Sequence, residues 1–299
     1  MKLLGKVKNG NYTISIYDDG TKIRENDLDF FEPEYPESMD IKITNKCDMG
    51  CAFCHEDSKE SGDHGNIMNL KFIETLLPYT ELAIGGGNAL THPDLIPFLE
   101  KCKTLKLIPN MTVNQIHFMK EQKLIRYLVD NKLIYGLGIS LVTPTDSFIK
   151  LAKRYDNAVI HIINGVQPLE DLEKLYANNF KLLILGYKEF RRGADYYSDE
   201  IKTKKNKMYE ILPEFVKHFK VVSFDNLAVK QLDARRLLTD AEWKEYFLGE
   251  DGTHTMYIDC VKQEYAVSST STTRMKLLDD IRPMFNNVKE ISHDNKRES

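Results

Sequence analysis

The sequence has few cysteines, one tryptophan and no long apolar run. Its five cysteines are an odd number and three of them fall within eight residues, whereas a secreted disulfide framework would spread them along the chain. No apolar segment is long enough to cross a bilayer, and the first residues lack the apolar stretch of a signal peptide. We therefore expect a cytoplasmic protein in a reducing compartment.

The chain also lacks an excess of positive charge. It carries 41 basic and 45 acidic residues, for a net charge of −4, so no global basic field attracts nucleic acid. The basic run at 202–207 is interpreted as a solvated helix face, with contact to phosphate as the alternative. The content of 42% hydrophobic and 29% charged residues is typical of a folded protein and excludes wholesale disorder.

From residue 38 onwards, short β-branched runs alternate with helical periodicities. Strands are predicted at 40–44, 81–85, 110–113, 135–141, 158–163 and 182–186. Helices are predicted between them at 70–77, 94–104, 118–131, 146–154 and 168–178. This alternation predicts an α/β fold with a parallel sheet, because parallel neighbours need crossover connections. Most strands are apolar, as expected when both sheet faces are buried, and ligands should lie beyond their carboxyl ends.

Four regions are predicted along the chain. An N-terminal β lead-in spans 1–37, where turn signals flank the alternating strand at 12–17. The α/β core spans 38–200. A C-terminal α+β region spans 201–292, with helices at 206–218, 239–246 and 278–288, a strand at 221–224 and an alternating stretch at 253–267. A polar, flexible tail follows at 293–299.

Three cysteines, Cys47, Cys51 and Cys54, follow the first predicted core strand directly. Thiolates are the usual protein ligands of iron–sulfur clusters, and three at this spacing can wrap one face of a cubane. One iron would then have no protein ligand and would stay open to a substrate or cofactor. Gly50 lets the loop turn tightly.

A zinc loop is the alternative interpretation of the same cysteines. Tetrahedral zinc needs a fourth ligand, which His55 or His64 could supply. His55 and Glu56 border the cysteines and are interpreted as plain loop residues rather than catalytic ones.

With Phe53 directly before the third cysteine, the run resembles the signature of the radical S-adenosylmethionine (SAM) superfamily. The resemblance covers about 38–195 and implies a partial (β/α)6 parallel barrel with one oxygen-sensitive [4Fe-4S] cluster on Cys47, Cys51 and Cys54. It implies that SAM binds the open iron and is cleaved reductively to a 5′-deoxyadenosyl radical, which abstracts hydrogen from a substrate. Phe53 would pack near the adenine. A flavodoxin or ferredoxin would donate the electron.

The glycine run Gly85-Gly86-Gly87-Asn88 ends the second core strand. It resembles a Gly-Gly-Glu-Pro stretch that hydrogen-bonds the amino group of SAM in the family. Here Asn88 stands where an acid is common and Ala89 replaces the proline. The side-chain carbonyl of Asn88 can still accept a hydrogen bond.

Polar or small residues mark the later strand ends. The resemblance implies that Ser140 lies near the ribose or carboxylate of SAM and that Asn164 contacts the ribose or adenine. Gly186 would admit the adenine. The cations of Lys188, Arg191 and Arg192 could pair with a carboxylate of SAM or substrate. Plain structural roles, or a solvated loop for the cations, are the alternatives.

The two remaining cysteines, Cys102 and Cys260, are too few for an ordinary second cluster. Cys102 is predicted to be a core residue. Cys260 is predicted to lie on a packed strand face, with hydrogen donation to a substrate radical as the functional alternative. The polar run at 268–274 would line the pocket or form a loop.

The sequence thus predicts a radical SAM enzyme whose substrate is a peptide or protein, a nucleoside or a small metabolite; no catalytic side chain is assigned. The alternative is a non-catalytic iron–sulfur or metal-binding sensor that retains a SAM-type pocket, a view that Asn88 favours.

Overall fold

The N-terminal segment forms a small antiparallel sheet, as its alternating pattern predicts. The computed structural model describes residues 1–28 and 30–297, the last three by their backbone alone. Strands β1 (Leu3–Asn9), β2 (Tyr12–Tyr17) and β3 (Lys22–Glu25) pair in sequence order. The sheet is tied to the next strand by Glu37, a buried residue whose carboxylate makes a two-point ion pair with Arg24 at 2.6 and 2.8 Å.

The main sheet has ten strands, and the mixed α/β class with a large parallel sheet is confirmed. Seven strands pair in parallel in sequence order: β4 (Ser38–Thr44), β5 (Glu81–Gly86), β6 (Ile108–Asn114), β7 (Gly136–Ser140), β8 (Ala158–Ile163), β9 (Lys181–Leu185) and β10 (Val221–Phe224). On the other side of β4 lie β11 (Thr255–Asp259, parallel) and then β12 (Glu264–Ala266) and β13 (Met275–Lys276), both antiparallel to their neighbours.

The six predicted core strands are all present, but the sheet contains more strands than these six. Four further strands from region 201–292 extend the same sheet at both of its edges. The pairing of β11 with β4 could not be predicted from local sequence patterns, because the two strands are more than two hundred residues apart.

Ten α-helices cover the described chain: α1 (Leu95–Thr104), α2 (Gln115–Lys120), α3 (Gln122–Asp130), α4 (Asp146–Ala152), α5 (Leu169–Glu173), α6 (Arg192–Tyr196), α7 (Asp199–Phe215), α8 (Asn226–Leu232), α9 (Asp240–Tyr246) and α10 (Ile281–Arg297). None of these helices is both long and apolar enough to cross a bilayer.

Several helix boundaries differ from the predicted ones. The stretch predicted at 70–77 is only a 3-10 turn at Lys71–Thr75, and the helix predicted at 118–131 is interrupted at Glu121 between α2 and α3. Helix α7 begins earlier than predicted because the Ser198 hydroxyl accepts a hydrogen bond from the backbone N–H of Ile201. Helix α10 runs through most of the predicted tail, to Arg297; residues 298 and 299 lie outside the described residues.

The two faces of the main sheet differ in chemistry. Alternate strand residues pack under the helices in one continuous core, among them Ile41, Leu82, Ile139 and Ile184. The opposite face carries polar and small residues: a Cβ at Gly138 would lie 2.4 Å from His161 and 2.8 Å from the hydroxyl of Thr112, so these three residues share it. It also carries apolar residues at the ends of β8 and β9, Ile163 and Leu185.

The sheet is curved towards its polar face. One cavity is lined both by Asp40 on β4 and by Ser223 on β10, although these strands are six positions apart in the sheet order. The concave face therefore holds this cavity between β4 and β10.

Candidate functional site

The loop with the three cysteines is anchored directly after β4. The backbone N–H of Cys47 donates to the carbonyl of Lys59 at 2.9 Å, and the N–H of Lys59 donates to Asn45 at 3.0 Å. Gly50 has φ +58°, a conformation that glycine adopts without strain, so the predicted tight turn is present. The loop is thus closed on itself and presents Cys47, Cys51 and Cys54 as half-buried thiols.

The three thiols are electrostatic neighbours. Burial raises the pKa of Cys47 and of Cys51 above the ordinary thiol value, and the nearby cysteines raise both further. All five cysteines of the chain are free thiols. Desolvated thiols that repel one another as thiolates need a multiply charged cationic partner, which an iron–sulfur cluster supplies. The donor set therefore fits such a cluster.

Each of the two histidines that could complete a zinc site already has one ring nitrogen in contact with a neighbour. The Nδ1 atom of His64 lies 2.9 Å from the hydroxyl of Thr44, and its ring packs on His92. The Nε2 atom of His55 lies 3.3 Å from the ammonium of Lys188. Within residues 1–28 and 30–297, no three His, Cys, Asp or Glu side chains converge on a single-ion site.

The glycine run contacts the base of the cysteine loop. The N–H groups of Gly87 and Asn88 donate to the carbonyls of Thr44 and Lys46, each at 2.8 Å. A Cβ at Gly87 would lie 2.2 Å from the Lys46 carbonyl oxygen, so only glycine allows this approach. The two sequence motifs are therefore one structural unit.

The members of this run serve different purposes. Gly86 has φ +107°, and a Cβ there would meet the Thr44 carbonyl at 2.4 Å. A Cβ at Gly85 would enter open space, so this backbone is free for a ligand to approach. The buried Asn88 side chain instead caps the short turn Ala89–Thr91 by accepting from the N–H of Leu90 at 3.2 Å.

Asn164, just after β8, offers an unused acceptor. Its side-chain N–H donates to Gln231 at 3.2 Å, while its Oδ1 is buried and has no partner in the described chain. The amide orientation is fixed because the same Gln231 oxygen already accepts from the N–H of Tyr187 at 2.9 Å. A buried oxygen without a donor suits a ligand N–H or O–H. Ser140 lies half-buried at the end of β7, beside His161.

Phe53 meets the ends of two later strands. A small cavity of about 50 Å³ is lined by Phe53, Ile163, Leu185 and Gly186. A Cβ at Gly186 would lie 2.4 Å from Leu227, so glycine at this position also allows α8 to pack against β9.

The comparisons with known proteins concern the fold. No protein-family model and no curated protein matches the sequence. Streptococcus suis SuiB has a TM-score of 0.63 at 13% identity, covering 97% of this chain and 90% of SuiB. SuiB bound to S-adenosylmethionine gives 0.59 at 17% identity, covering 86% of this chain and 68% of that one. A further match is anSMEcpe with bound AdoMet and Kp18Cys peptide, at 0.55 and 15% identity, covering 85% and 81%. These neighbours are radical SAM enzymes.

The chain shares the fold of these radical SAM enzymes.

Within this fold, Arg191 and Arg192 contact the segment after the third cysteine, while Lys188 lies between His55 and Ser269 and lines both cavities of the site. Lys188 donates to Ser269 at 2.9 Å, and Arg191 donates to the Glu56 carbonyl at 3.0 Å. Arg192 pairs with Asp57 at 3.0 Å. The charges of the two arginines therefore fix the segment that follows the third cysteine.

A buried ion-pair group behind the cysteine loop is absent from the sequence-based prediction. The ammonium of Lys42 lies 2.8 Å from Glu56 and 3.5 Å from Asp259, and the Tyr257 hydroxyl donates to Glu56 at 3.0 Å. The sequence did contain a signal for this group: Lys42 lies inside the predicted β4 strand, and a lysine that is buried there needs an acidic partner. Glu56 is thus a structural anchor of the loop.

The two remaining cysteines lie in the core. Cys102 and Cys260 are each at most 1% exposed and belong to the main hydrophobic core, and burial raises the pKa of the Cys260 thiol. Cys260 packs against Gly65, so hydrogen donation to a substrate has no support. In the polar run, residues 268–270 do line the large cavity.

Proposed function

We propose that this chain is a radical SAM enzyme that holds one [4Fe-4S] cluster on Cys47, Cys51 and Cys54. The observation that carries the proposal is the set of three neighbouring, half-buried thiols at the carboxyl end of β4. The cluster and SAM, when bound, would supply reductive cleavage to a 5′-deoxyadenosyl radical for hydrogen abstraction. We interpret the curved sheet as a partial parallel barrel around this site.

The residues of the chain would position SAM between the two motifs. The open space at Gly85 would admit the methionine part close to the thiols. The unpaired oxygen of Asn164 would accept a hydrogen bond from the ribose or adenine. Phe53, with Ile163 and Leu185, would give the adenine an apolar contact. Gly86, Gly87, Asn88 and Ser140 would shape the same pocket.

The surrounding regions would serve the reaction indirectly. Region 38–200 would form the catalytic core, while 1–37 and 201–292 would close the open side and shape the substrate pocket. We expect reduction by a flavodoxin or ferredoxin. Two of the structural neighbours hold peptides, the precursor peptide SuiA in SuiB and Kp18Cys in anSMEcpe. A peptide is therefore the substrate class to test first, before a nucleoside or a small metabolite.

One observation favours the alternative of a non-catalytic iron–sulfur sensor. The Asn88 oxygen already caps a turn, so its contact with the SAM ammonium would be weaker than that of a free carboxylate. In such a protein the cluster would form and SAM would remain intact.

Anaerobic reconstitution with iron and sulfide, followed by SAM and a reductant, separates these functions. Chromatography should detect 5′-deoxyadenosine for the unchanged chain and for Cys102→Ala, a matched control in the core. The triple variant Cys47→Ala, Cys51→Ala, Cys54→Ala should form none. A cluster with intact SAM would support the sensor, and zinc without sulfide would contradict both functions.

A further inference from the structure

A large cavity lies on the concave face of the sheet, separate from the small one beside Phe53. Its volume of about 960 Å³ is at the upper end of the range for small-molecule pockets. Apolar side chains from the C-terminal region form much of its wall: Phe219, Leu237, Trp243, Phe247 and Leu248. Lys188 lines both cavities, so the two adjoin at this residue.

Asp40 faces this cavity from β4 without a partner. Its side chain has no hydrogen bond and no ion pair within the described part of the chain, and the residue is exposed and lines the cavity. Burial raises the pKa of Asp40 to about 6, despite the opposing charge of Lys188. Asp40 precedes Thr44 by four residues, which places it roughly 13 Å below the strand end where SAM would bind.

The charges that line the cavity leave a small acidic excess around Asp40. Four acids line it, Asp40, Asp225, Glu250 and Asp251, against three cations, Lys188, Lys220 and Lys230. Lys230 pairs with Glu250 at 2.8 Å. Asp225 accepts from two backbone N–H groups at 2.7 and 2.8 Å. Lys188 is near enough to lower the pKa of Asp40 but makes no ion pair with it, so this carboxylate is open to a positively charged ligand.

His254 provides a second, independent sign of a polar ligand. This residue lines the same cavity and is 5% exposed, and its ring lies edge-on to Tyr12 with centroids 6.4 Å apart; neither ring nitrogen has a hydrogen-bond partner among the described residues. The backbone of Leu248 is close enough to raise the pKa of His254, but it makes no hydrogen bond with either ring nitrogen. Burial lowers the pKa of His254 to about 4, so at neutral pH the ring offers one donor and one acceptor. Buried polar groups are normally satisfied, so a bound molecule is the expected partner.

We propose that this cavity binds the substrate through a cationic group, an alkylammonium or guanidinium such as a basic peptide side chain presents, and that Asp40 pairs with it. The apolar wall with Trp243 would hold the aliphatic part of the substrate, and His254 would bond a neighbouring polar atom. The identification of the ligand as the substrate rests on the proposed function; the binding of a cationic group does not.

Binding of n-butylammonium to the reconstituted full chain tests this inference. Trp243 is the only tryptophan, so its fluorescence reports on the cavity, and calorimetry gives the dissociation constant. We expect n-butylammonium to bind more tightly than n-butanol and butyrate. Asp40→Asn should weaken its binding by at least about 10-fold, since hydrogen bonds to charged groups contribute about 1.5–3 kcal/mol. Asp156→Asn, at an exposed position outside the cavity, is the control and should change nothing.

Several outcomes would overturn the inference. Equal affinity for n-butylammonium and n-butanol in the unchanged chain would do so, and this comparison needs no variant to fold. Unchanged binding in Asp40→Asn would do so as well. If SAM displaces n-butylammonium competitively, Asp40 serves the cofactor and not a substrate. Formation of 5′-deoxyadenosine without ammonium selectivity would refute this inference alone, while selective binding without SAM cleavage would refute only the proposed function.

Discussion

Replacing Lys42 by methionine should destabilise the protein strongly, because two buried carboxylates would lose their cation. The side chains of Lys42, Glu56 and Asp259 are 3%, 9% and 4% exposed. Removing one partner of a buried ion pair costs about 3–5 kcal/mol. Glu56 keeps its hydrogen bond from Tyr257 and its ion pair to Arg191 at 3.7 Å, and Asp259 keeps two hydrogen bonds from backbone N–H groups. We therefore expect a loss at the lower end, about 3 kcal/mol.

Urea denaturation of the anaerobic protein measures this loss as a change in the free energy of unfolding. The matched control is Lys217→Met, which removes an exposed ion pair to Glu214 at 2.6 Å and should have little effect. Adding Glu56→Gln to Lys42→Met should recover about 1 kcal/mol, since it removes a buried charge that keeps only the more distant Arg191 as its cation. If Lys42→Met behaves like Lys217→Met, the ion-pair group does not anchor the cysteine loop and the reasoning fails.

Three further predictions concern the two cavities and the glycine run. Gly87→Ala should lower the amount of bound iron at least several-fold, because its Cβ would meet the Lys46 carbonyl at 2.2 Å. Gly85→Ala should retain the iron and weaken SAM binding only. Metal analysis measures the first effect and calorimetry the second. Asn164→Ala should weaken binding of S-adenosylhomocysteine by about 10-fold through one lost hydrogen bond, and equal affinity would contradict its role. Asp40→Asn should stabilise the protein at pH 8 by about 1 kcal/mol, less than the pKa shift alone gives because the cavity admits water. The pKa of Asp40 in the folded protein, about 6, exceeds its ordinary value of 3.8. The destabilisation caused by its ionisation therefore develops between about pH 4 and 6, persists above pH 6 and is absent below pH 4. Equal stabilisation by Asp40→Asn at pH 3.5 and pH 8 would contradict this. The charged groups that act on this carboxylate are Lys188, Asp225, Asp251 and Glu56.

The cysteine loop and its position after β4 could be predicted because both are local in the sequence. Cysteine spacing, a turn glycine and a preceding apolar strand all lie within about fifteen residues, and the order of parallel strands follows from their alternation with helices. The contact between the glycine run and this loop follows from the same rule, because neighbouring parallel strands end at one edge.

Features that depend on distant residues could not be predicted in this way. The pairing of β11 with β4 places Asp259 and Tyr257 beside Glu56, and no local pattern reveals it. The packing of α8 beside Gly186 and the hydrogen bond from Lys188 to Ser269 likewise join residues that are far apart in the sequence.

Electron paramagnetic resonance of the reduced, reconstituted protein tests the open iron most directly. With only Cys47, Cys51 and Cys54 as protein ligands, the cluster signal should change when SAM is added. It should be lost in Cys51→Ala and preserved in Cys102→Ala. A cluster signal that is identical with and without SAM, or one that survives removal of all three loop thiols, would contradict the account.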